Sequence, residues 1–217
     1  MGVFTHISEE ELSFFLNDYN LKNVESFIGI NEGIQNTNYK TRIDSKDFIL
    51  TIYENINENN DLDFFLSLMN YLSSQGIKCP TPIKNSSLNY IGKIKSKPAA
   101  LLTFLNGKST LNIKKNHTFE IGKVLAEMHI STKDFPMKKK NDLSINGWEK
   151  LLIKNKDKIN KFESNLFEKI KNKIIKIKEK WPKNLPSGII HGDLFPDNVL
   201  FKGEKVSGLI DFYFSCN

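Results

Sequence analysis

The sequence predicts an α+β fold with two lobes, an antiparallel sheet in the first lobe and mainly helices in the second. Residues 1–105 contain five runs of strand length at hairpin spacing, with one helical segment between the third and the fourth. Residues 106–217 contain longer segments in which apolar residues recur every three or four positions. A polar loop between apolar runs lies near the end of this second part. These observations predict a cleft between the two lobes.

The first 30 residues predict a helix and then a strand. Ser8 and Glu11 have the spacing of a capping box, in which each side chain binds a backbone N–H at the helix start. An apolar stripe at helical spacing follows, made of Leu12, Phe15, Leu16 and Tyr19. The next run, Glu25–Ile30, is a predicted strand, and residues 31–38 form a polar turn.

Four further strands and one helix complete the first half. Tyr39–Ile43 and Phe48–Tyr53 are the second and third strands, joined by a polar hairpin. A helix begins near Asn60 and ends before a glycine at position 76. Tyr90–Ile94 and Ala99–Leu105 are the fourth and fifth strands. The short spacing between these runs favours antiparallel pairing.

The second half predicts three helices. Phe119–His129 places apolar residues on one face, and a shorter segment from Trp148 to Ile159 is also helical in pattern. Apolar residues then recur every three or four positions from Phe162 to Trp181, which predicts a long amphipathic helix that Pro182 ends. Its lysine-rich face also carries glutamates, which indicates a solvated face rather than one bound to a membrane.

The loop that follows these helices carries the chemistry. Ile189 and Ile190 lead to His191, Gly192 and Asp193. Asn198 then begins a second apolar run, and a third run ends on Asp211.

A carboxylate at position 193 can accept a proton from a hydroxyl, while Asn198 and Asp211 offer hard oxygen ligands to Mg²⁺. Phosphoryl transfer from ATP requires such a positioned base and metal clamp. Hairpin residues of the same types are the competing interpretation. The spacing from Asp193 to Asn198, together with the closing Asp211, favours the catalytic one.

Composition excludes several other classes. A net charge of +6 is spread among asparagines and isoleucines without a basic, aromatic-rich face, so we expect no nucleic-acid partner. No window holds 18 apolar residues and no signal-peptide pattern is visible, so we expect no membrane span and a cytoplasmic location. Cys79 and Cys216 are far apart and in no metal-ligand spacing, which indicates free thiols.

The chain resembles the homoserine kinase branch of the aminoglycoside-phosphotransferase and choline-kinase superfamily, which has a protein-kinase-like fold. The stretches that carry the resemblance are Val3–Thr5, Ser8–Leu12, Gly29–Tyr39, Phe48–Glu54, Pro98–Gly107, His191–Asn198 and Gly208–Phe214. The resemblance implies phosphorylation of L-homoserine to O-phospho-L-homoserine in threonine biosynthesis, with ATP and Mg²⁺. It also implies that a monomer, or alternatively a dimer, binds these small molecules.

The resemblance assigns roles residue by residue. Asp193 would be the catalytic base, Asn198 and Asp211 would bind Mg²⁺, and His191 would brace the loop. The nucleotide-binding residues would be Gly33, Asn36 and Asn38 over the phosphates, Thr51 on the third strand, and Thr103, Phe104 and Leu105 as the hinge that pairs with adenine.

Two features depart from the family pattern. Thr51 stands where the family places a lysine or arginine that contacts the phosphates, and only Asp61 and Asp63 are candidates for the acidic partner on the first-lobe helix. The chain also ends soon after Asp211, so we expect an incomplete second lobe. A kinase of another small alcohol, such as choline or an aminoglycoside, and a non-catalytic nucleotide-binding fragment remain alternatives. A nucleic-acid-binding protein is supported by the net charge alone.

Overall fold

The computed structural model describes residues 2–31, 33, 35–54 and 61–217. Within these residues the helices are α1 (Glu9–Asn17), α2 (Asp61–Ser74), α3 (Lys115–Ser131), α4 (Ile145–Lys154), α5 (Lys156–Phe162) and α6 (Leu166–Glu179). The strands are β1 (Val24–Gly29), β2 (Thr37–Ile43), β3 (Lys46–Ile52), β4 (Gly92–Ile94), β5 (Lys97–Thr103), β6 (Val199–Lys202) and β7 (Lys205–Leu209). No helix in this part of the chain has the length and hydropathy of a membrane span.

Strands β1 to β5 form one antiparallel sheet in the order β1-β2-β3-β5-β4. Strand β3 lies at its centre, where Thr51 is opposite Asn38 of β2 on one side and Ala100 of β5 on the other. Strands β6 and β7 form a separate antiparallel hairpin. The predicted α+β class, with its five sheet strands and mainly helical second lobe, is therefore confirmed.

The sheet is covered on both faces because alternate residues of each strand point to opposite sides. Leu50 and Ile52 of β3 pack on the outer face with Leu12 and Leu16 of α1. The predicted capping box of α1 is present, with Ser8 and Glu11 bonded as expected.

Tyr53, next to the end of β3, lies on the inner face. It joins a larger cluster that continues through α2 into the second lobe, where it includes Met128 of α3, Val199 of β6 and Phe212. The inner face of the sheet is thus packed directly on the part of the chain that holds the candidate catalytic loop.

A buried polar network fastens the N-terminal segment to the outer face. Thr5 and Thr37 donate to the same Glu54 carboxylate oxygen at 2.7 and 2.6 Å, and Lys97 forms an ion pair with the other oxygen. The backbone N–H groups of Phe4 and Thr5 donate in turn to the Thr37 hydroxyl. The Glu54 side chain is only 8% exposed, so the ion pair and these hydrogen bonds offset the cost of its burial.

The helices α4, α5 and α6 have a small core of their own. The buried members of this core are Ile145, Leu152, Phe167 and Ile174. Partly buried residues pack around them, including Trp148, whose ring meets that of Trp181 edge-on at 5.8 Å.

The helix predictions in this region were wrong in their boundaries. The segment predicted as one helix from Trp148 to Ile159 forms α4 and α5, which meet at Asn155. The long helix predicted from Phe162 to Trp181 begins only at Leu166, because Asn165 adopts a left-handed conformation that interrupts the helical path. The apolar periodicity continues across this break and concealed it.

Ile189–Ile190 also differs from expectation, since this run forms an isolated bridge to Cys216 rather than a full strand. The predicted lobe boundary between residues 105 and 106 stays a prediction. Glu32 and Ile34 of the predicted turn, and the predicted helix start at Asn60, lie outside the described residues.

Candidate active site

The candidate catalytic loop begins where Ile190 bridges Cys216, with N–H to carbonyl distances of 2.9 and 3.3 Å. Gly192 follows with a φ of +83°. A Cβ atom at this position would lie 2.3 Å from the Phe214 carbonyl oxygen. The loop therefore requires glycine here, both for its left-handed backbone and for the close approach of the two segments.

His191 lies at the centre of the loop and is buried. Its Nδ1 accepts a hydrogen bond from the Asp193 N–H at 3.3 Å, so Nε2 carries the proton and donates to the Ile210 carbonyl at 2.9 Å. Burial lowers the pKa of His191, although the bond to Ile210 and the charge of Asp193 oppose this shift. A neutral imidazole therefore joins the segment of Asp193 to the segment that precedes Asp211.

Asn198 is held against Asp193. Its side-chain nitrogen donates to the Asp193 carbonyl at 2.7 Å and to the Asp193 Oδ2 at 3.2 Å. Because both bonds use the amide nitrogen, the amide oxygen of Asn198 is directed elsewhere and can serve as a ligand. The short 3₁₀ turn Pro196–Asn198 sets this geometry, because it brings the Asn198 side chain within hydrogen-bonding distance of Asp193.

Asp211 follows β7 with a φ of +64°, which is rare for a residue with a side chain. Burial raises the pKa of the Asp211 carboxyl, the negative charge of Asp193 raises it further, and a hydrogen bond from the Tyr213 N–H lowers it in part. The ionised form of Asp211 is therefore disfavoured by its own burial and by the charge of Asp193, and a cation bound at Asp211 would offset both effects.

The ligand types in this loop fit Mg²⁺. Mg²⁺ prefers oxygen ligands and is usually held by one or two carboxylates together with substrate phosphates and water. Asp211 supplies a carboxylate and Asn198 an amide oxygen. No group of three or more His, Cys, Asp or Glu side chains that could hold a metal ion occurs within the described ranges. An ion at this loop would therefore have Asp211 and Asn198 as its candidate protein ligands.

The residues predicted to contact phosphates lie at the turn between β1 and β2. The Asn38 carbonyl accepts a hydrogen bond from the Ile30 N–H at 2.8 Å, and its side-chain oxygen accepts one from the Thr51 hydroxyl at 2.8 Å. Gly33 has a φ of +112°, and Asn36 is partly buried. The structure thus brings Asn38 and Thr51 together and fixes the end of the turn on β3.

Some backbone groups of the predicted hinge are already hydrogen-bonded, and others are not. The Thr103 N–H donates to the Thr81 carbonyl at 2.9 Å, and the Phe104 N–H lies 3.3 Å from the Asp47 carbonyl. In the described part of the chain, the Leu105 N–H and the Phe104 carbonyl make no backbone hydrogen bond. This donor and this acceptor are therefore available to pair with the edge of a planar base.

The Phe104 ring faces outward. It lies 4.2 Å from Nζ of Lys40 and lines an open cavity of about 840 Å³, whose other walls come mainly from the segment 106–114 and from the β6–β7 turn, with Lys108 and Lys202 among the lining residues. Asp193, Asn198 and Asp211 do not line this cavity.

The structure also shows contacts that the sequence did not predict. Asp61 pairs with Lys139 of the second lobe at 2.9 Å rather than with a cation on β3, and Asp63 is exposed. The Tyr53 hydroxyl lies 2.9 Å from the Tyr213 hydroxyl. Tyr53 and Tyr213 stand within the stretches that carry the family resemblance, but 160 positions separate them, and a single sequence gives no sign of their contact.

The fold and this loop together are those of a phosphotransferase. The family model APH, described as the phosphotransferase enzyme family, matches residues 26–217. The homoserine kinases of Rhizobium etli and Agrobacterium fabrum are 43% and 42% identical to the whole chain, which covers 68% and 67% of their lengths. That of Parvibaculum lavamentivorans is 41% identical, with 68% covered. The chain therefore belongs to the phosphotransferase enzyme family, in its homoserine kinase branch.

Solved structures agree on the fold. Spectinomycin phosphotransferase in complex with ADP and spectinomycin matches 98% of this chain with a TM-score of 0.70, and the chain covers 70% of it at 17% identity. Amicoumacin kinase in complex with AMP-PNP and Ca²⁺ matches 97% with a TM-score of 0.68, and the chain covers 65% of it at 14% identity. Both neighbours bind nucleotides in a fold of this kind.

Proposed function

We propose that the protein transfers the γ-phosphoryl group of ATP to the hydroxyl of L-homoserine, giving O-phospho-L-homoserine and ADP, with Mg²⁺ bound at the loop. The arrangement of Asp193, Asn198 and Asp211 near the neutral His191 is the observation that supports phosphoryl transfer as the reaction. The acceptor rests on the homoserine kinases that match the whole chain. We also propose that this reaction serves threonine biosynthesis and takes place in the cytoplasm, where ATP is available.

The protein groups act as follows in this scheme. The Asp193 carboxylate, which Asn198 holds at Oδ2, orients the acceptor hydroxyl and accepts its proton as the oxygen attacks the γ-phosphorus. The bond from that phosphorus to the oxygen bridging it to the β-phosphorus breaks, and its electrons leave with ADP. Mg²⁺, held by Asn198 and Asp211, would neutralise charge on the phosphates.

The nucleotide would lie along the inner face of the sheet. The Leu105 N–H and the Phe104 carbonyl would pair with adenine, while Thr103 supports the hinge through Thr81. Gly33, Asn36 and Asn38 would cover the phosphates, with Asn38 held by Thr51. His191 would brace the catalytic loop without reacting. We propose a monomer, with a dimer as the alternative.

A coupled assay of ADP release tests this function. Purified protein is incubated with Mg-ATP and, in separate reactions, with L-homoserine, choline or an aminoglycoside. We expect turnover with homoserine well above that with the other alcohols and above the rate of ATP hydrolysis in water. The Asp193→Asn variant serves as the control for contaminating kinases. Turnover with choline or an aminoglycoside alone would reject homoserine as the acceptor.

A nucleotide-binding protein without turnover is the second candidate. Thr51 in place of a basic residue favours it, because the third strand then supplies no charge to the phosphates. Thermal stabilisation by Mg-ATP without ADP release for any acceptor would support this candidate over the kinase.

A further inference from the structure

A pair of tyrosine hydroxyls joins the first sheet to the loop of Asp211. Tyr53 lies next to the end of β3, and Tyr213 lies two residues after Asp211. Their hydroxyl oxygens are 2.9 Å apart, and their rings meet edge-on with centroids 5.4 Å apart. Phe65 of α2 contacts the Tyr213 ring edge-on at 5.8 Å. The strand end and α2 therefore hold one side chain of the Asp211 loop.

Asp211 needs such support because its backbone is strained. A φ of +64° is unfavourable for a residue with a side chain, although Asp tolerates it better than most, so contacts on either side of Asp211 help to hold it. On the side before Asp211, His191 binds the Ile210 carbonyl at 2.9 Å. On the side after it, the Tyr213 hydroxyl is bonded to Tyr53. The loop is thus fastened on both sides, once to the catalytic loop and once to the first sheet.

Position 51 of the third strand carries no charged side chain that could bind a phosphate. Position 51, which points to the same face as Tyr53, carries a threonine whose hydroxyl is bonded to Asn38. A threonine is too short to span to a phosphate as a lysine would. Thr51 thus holds Asn38 at the end of the β1–β2 turn, and Tyr53, two residues further on, holds Tyr213 in the loop of Asp211.

We propose that Tyr53 and Tyr213 are positioning residues, whose hydroxyl pair sets the Asp211 carboxylate for Mg-nucleotide binding and couples β3 to the metal-binding loop. This inference depends on the proposed function for the role of Asp211 as a metal ligand. It does not depend on which alcohol accepts the phosphoryl group.

The test compares Tyr53→Phe, Tyr213→Phe and the double variant with the unchanged protein. Calorimetry measures the affinity for a non-hydrolysable ATP analogue with and without Mg²⁺. Loss of one buried hydrogen bond predicts an affinity for the Mg²⁺ complex lower by about 3- to 10-fold in each single variant. The double variant should lose less affinity than the product of the two single losses, because both single variants remove the Tyr53–Tyr213 bond, whereas Tyr213→Phe also removes an interaction with the Thr51 side chain. Affinity without Mg²⁺ should stay unchanged.

Tyr39→Phe is the matched control. Its hydroxyl is also buried, donates to the Thr5 carbonyl at 3.0 Å and accepts from the Ile7 N–H at 3.3 Å, but it lies on the outer face of the sheet. This variant should lower the melting temperature at least as much as Tyr53→Phe and leave the Mg²⁺-dependent affinity unchanged.

Three outcomes would overturn the inference. The first is an unchanged Mg²⁺-dependent affinity in the single variants, and the second is a loss in the double variant equal to the product of the two single losses. The third is nucleotide binding that is independent of Mg²⁺ in the unchanged protein, which would also remove the proposed metal site. Absence of turnover with homoserine alone would reject only the acceptor, because the binding measurement contains no acceptor.

Discussion

At the scale of single residues, the candidate site is a set of side chains fixed in advance. Asp211 is held in a left-handed conformation that costs about 1–3 kcal/mol. His191 offsets this cost through its bond to Ile210, and Asn198 binds the Asp193 carbonyl and carboxylate at once. Groups positioned before the substrate arrives lose little freedom during the reaction, which is how a phosphoryl-transfer site with little covalent chemistry accelerates it.

The two aspartates should differ in what their removal changes. We expect Asp193→Asn to lower turnover by about 10²–10⁴-fold, since it removes the proton acceptor, and to leave Mg-nucleotide affinity nearly intact. Asp211→Ala should weaken Mg-nucleotide binding itself, because it removes a metal ligand. Steady-state kinetics and calorimetry of both variants separate these effects. If both variants lose only nucleotide affinity, the division of roles is wrong.

The Glu54 network predicts a pH-dependent stability. Burial acts to raise the pKa of the Glu54 carboxyl, but hydrogen bonds from Lys97, Thr37 and Thr5 and the charge of Lys97 hold this pKa below its ordinary value of 4.5. The stabilisation is therefore complete above pH 4.5 and is lost as the pH falls below 4.5 through the lower value of the folded state.

We expect Glu54→Gln to lower the free energy of unfolding by about 1–3 kcal/mol at neutral pH. Denaturant unfolding at several pH values measures this difference. It should shrink as the pH falls below 4.5, because the unfolded chain takes up its proton there while the native carboxylate is protonated only at its lower pKa. Glu10→Gln, at an exposed position of α1, is the control and should change little. A difference that stays constant through the acidic range would show that the charge of Glu54 does not stabilise the fold.

At the scale of elements, the sequence predicted what depends on local patterns. The two strand-length runs with a polar hairpin between them predicted β2 and β3, and the Ser8–Glu11 capping box predicted the start of α1, because turns and caps are local properties. The break at Asn165 was missed because the apolar spacing continues through it. The Tyr53–Tyr213 and Asp61–Lys139 contacts were missed because their geometry depends on how distant segments pack.

Helix α1 shows how an apolar stripe at helical spacing contributes to the stability of the fold. Leu16 is fully buried against the outer face of the sheet, whereas Phe14 on the same helix is 78% exposed. We expect Leu16→Ala to lower the free energy of unfolding by about 2–5 kcal/mol, because it leaves a cavity in the outer cluster. Phe14→Ala, which removes a larger side chain, should change it by less than about 0.5 kcal/mol. Thermal or urea unfolding measures both, and similar losses in the two variants would contradict the described packing of α1.

At the scale of the whole molecule, the apolar interior is divided unequally. One large cluster runs from the inner face of the sheet through α2 to the catalytic hairpin, and a second lies between the sheet and α1. The helices α4 to α6 enclose a much smaller cluster with four buried members. Burial of apolar surface is the main favourable contribution to folding, so this helical unit should open at a lower free energy than the rest.

Intrinsic fluorescence can observe this unit alone. The chain has two tryptophans, Trp148 and Trp181, and their rings meet beside the small cluster of α4 to α6. Far-UV circular dichroism instead reports on all helices and strands. We expect the fluorescence transition in urea to occur at a lower concentration than the main dichroism transition. Non-coincident transitions are the established sign that unfolding is not a single two-state step.

Two variants within the unit separate its own stability from that of the whole chain. Phe167 is 7% exposed in the small cluster, and Phe162 at the end of α5 is 84% exposed. Phe167→Ala should move the fluorescence transition to lower urea by an amount equivalent to about 3 kcal/mol or more, while the main dichroism transition and Mg-nucleotide affinity stay in place. Phe162→Ala should move neither. If both probes shift together in Phe167→Ala, the helical unit and the rest of the fold unfold as one cooperative structure, and the small cluster contributes to the stability of the entire fold.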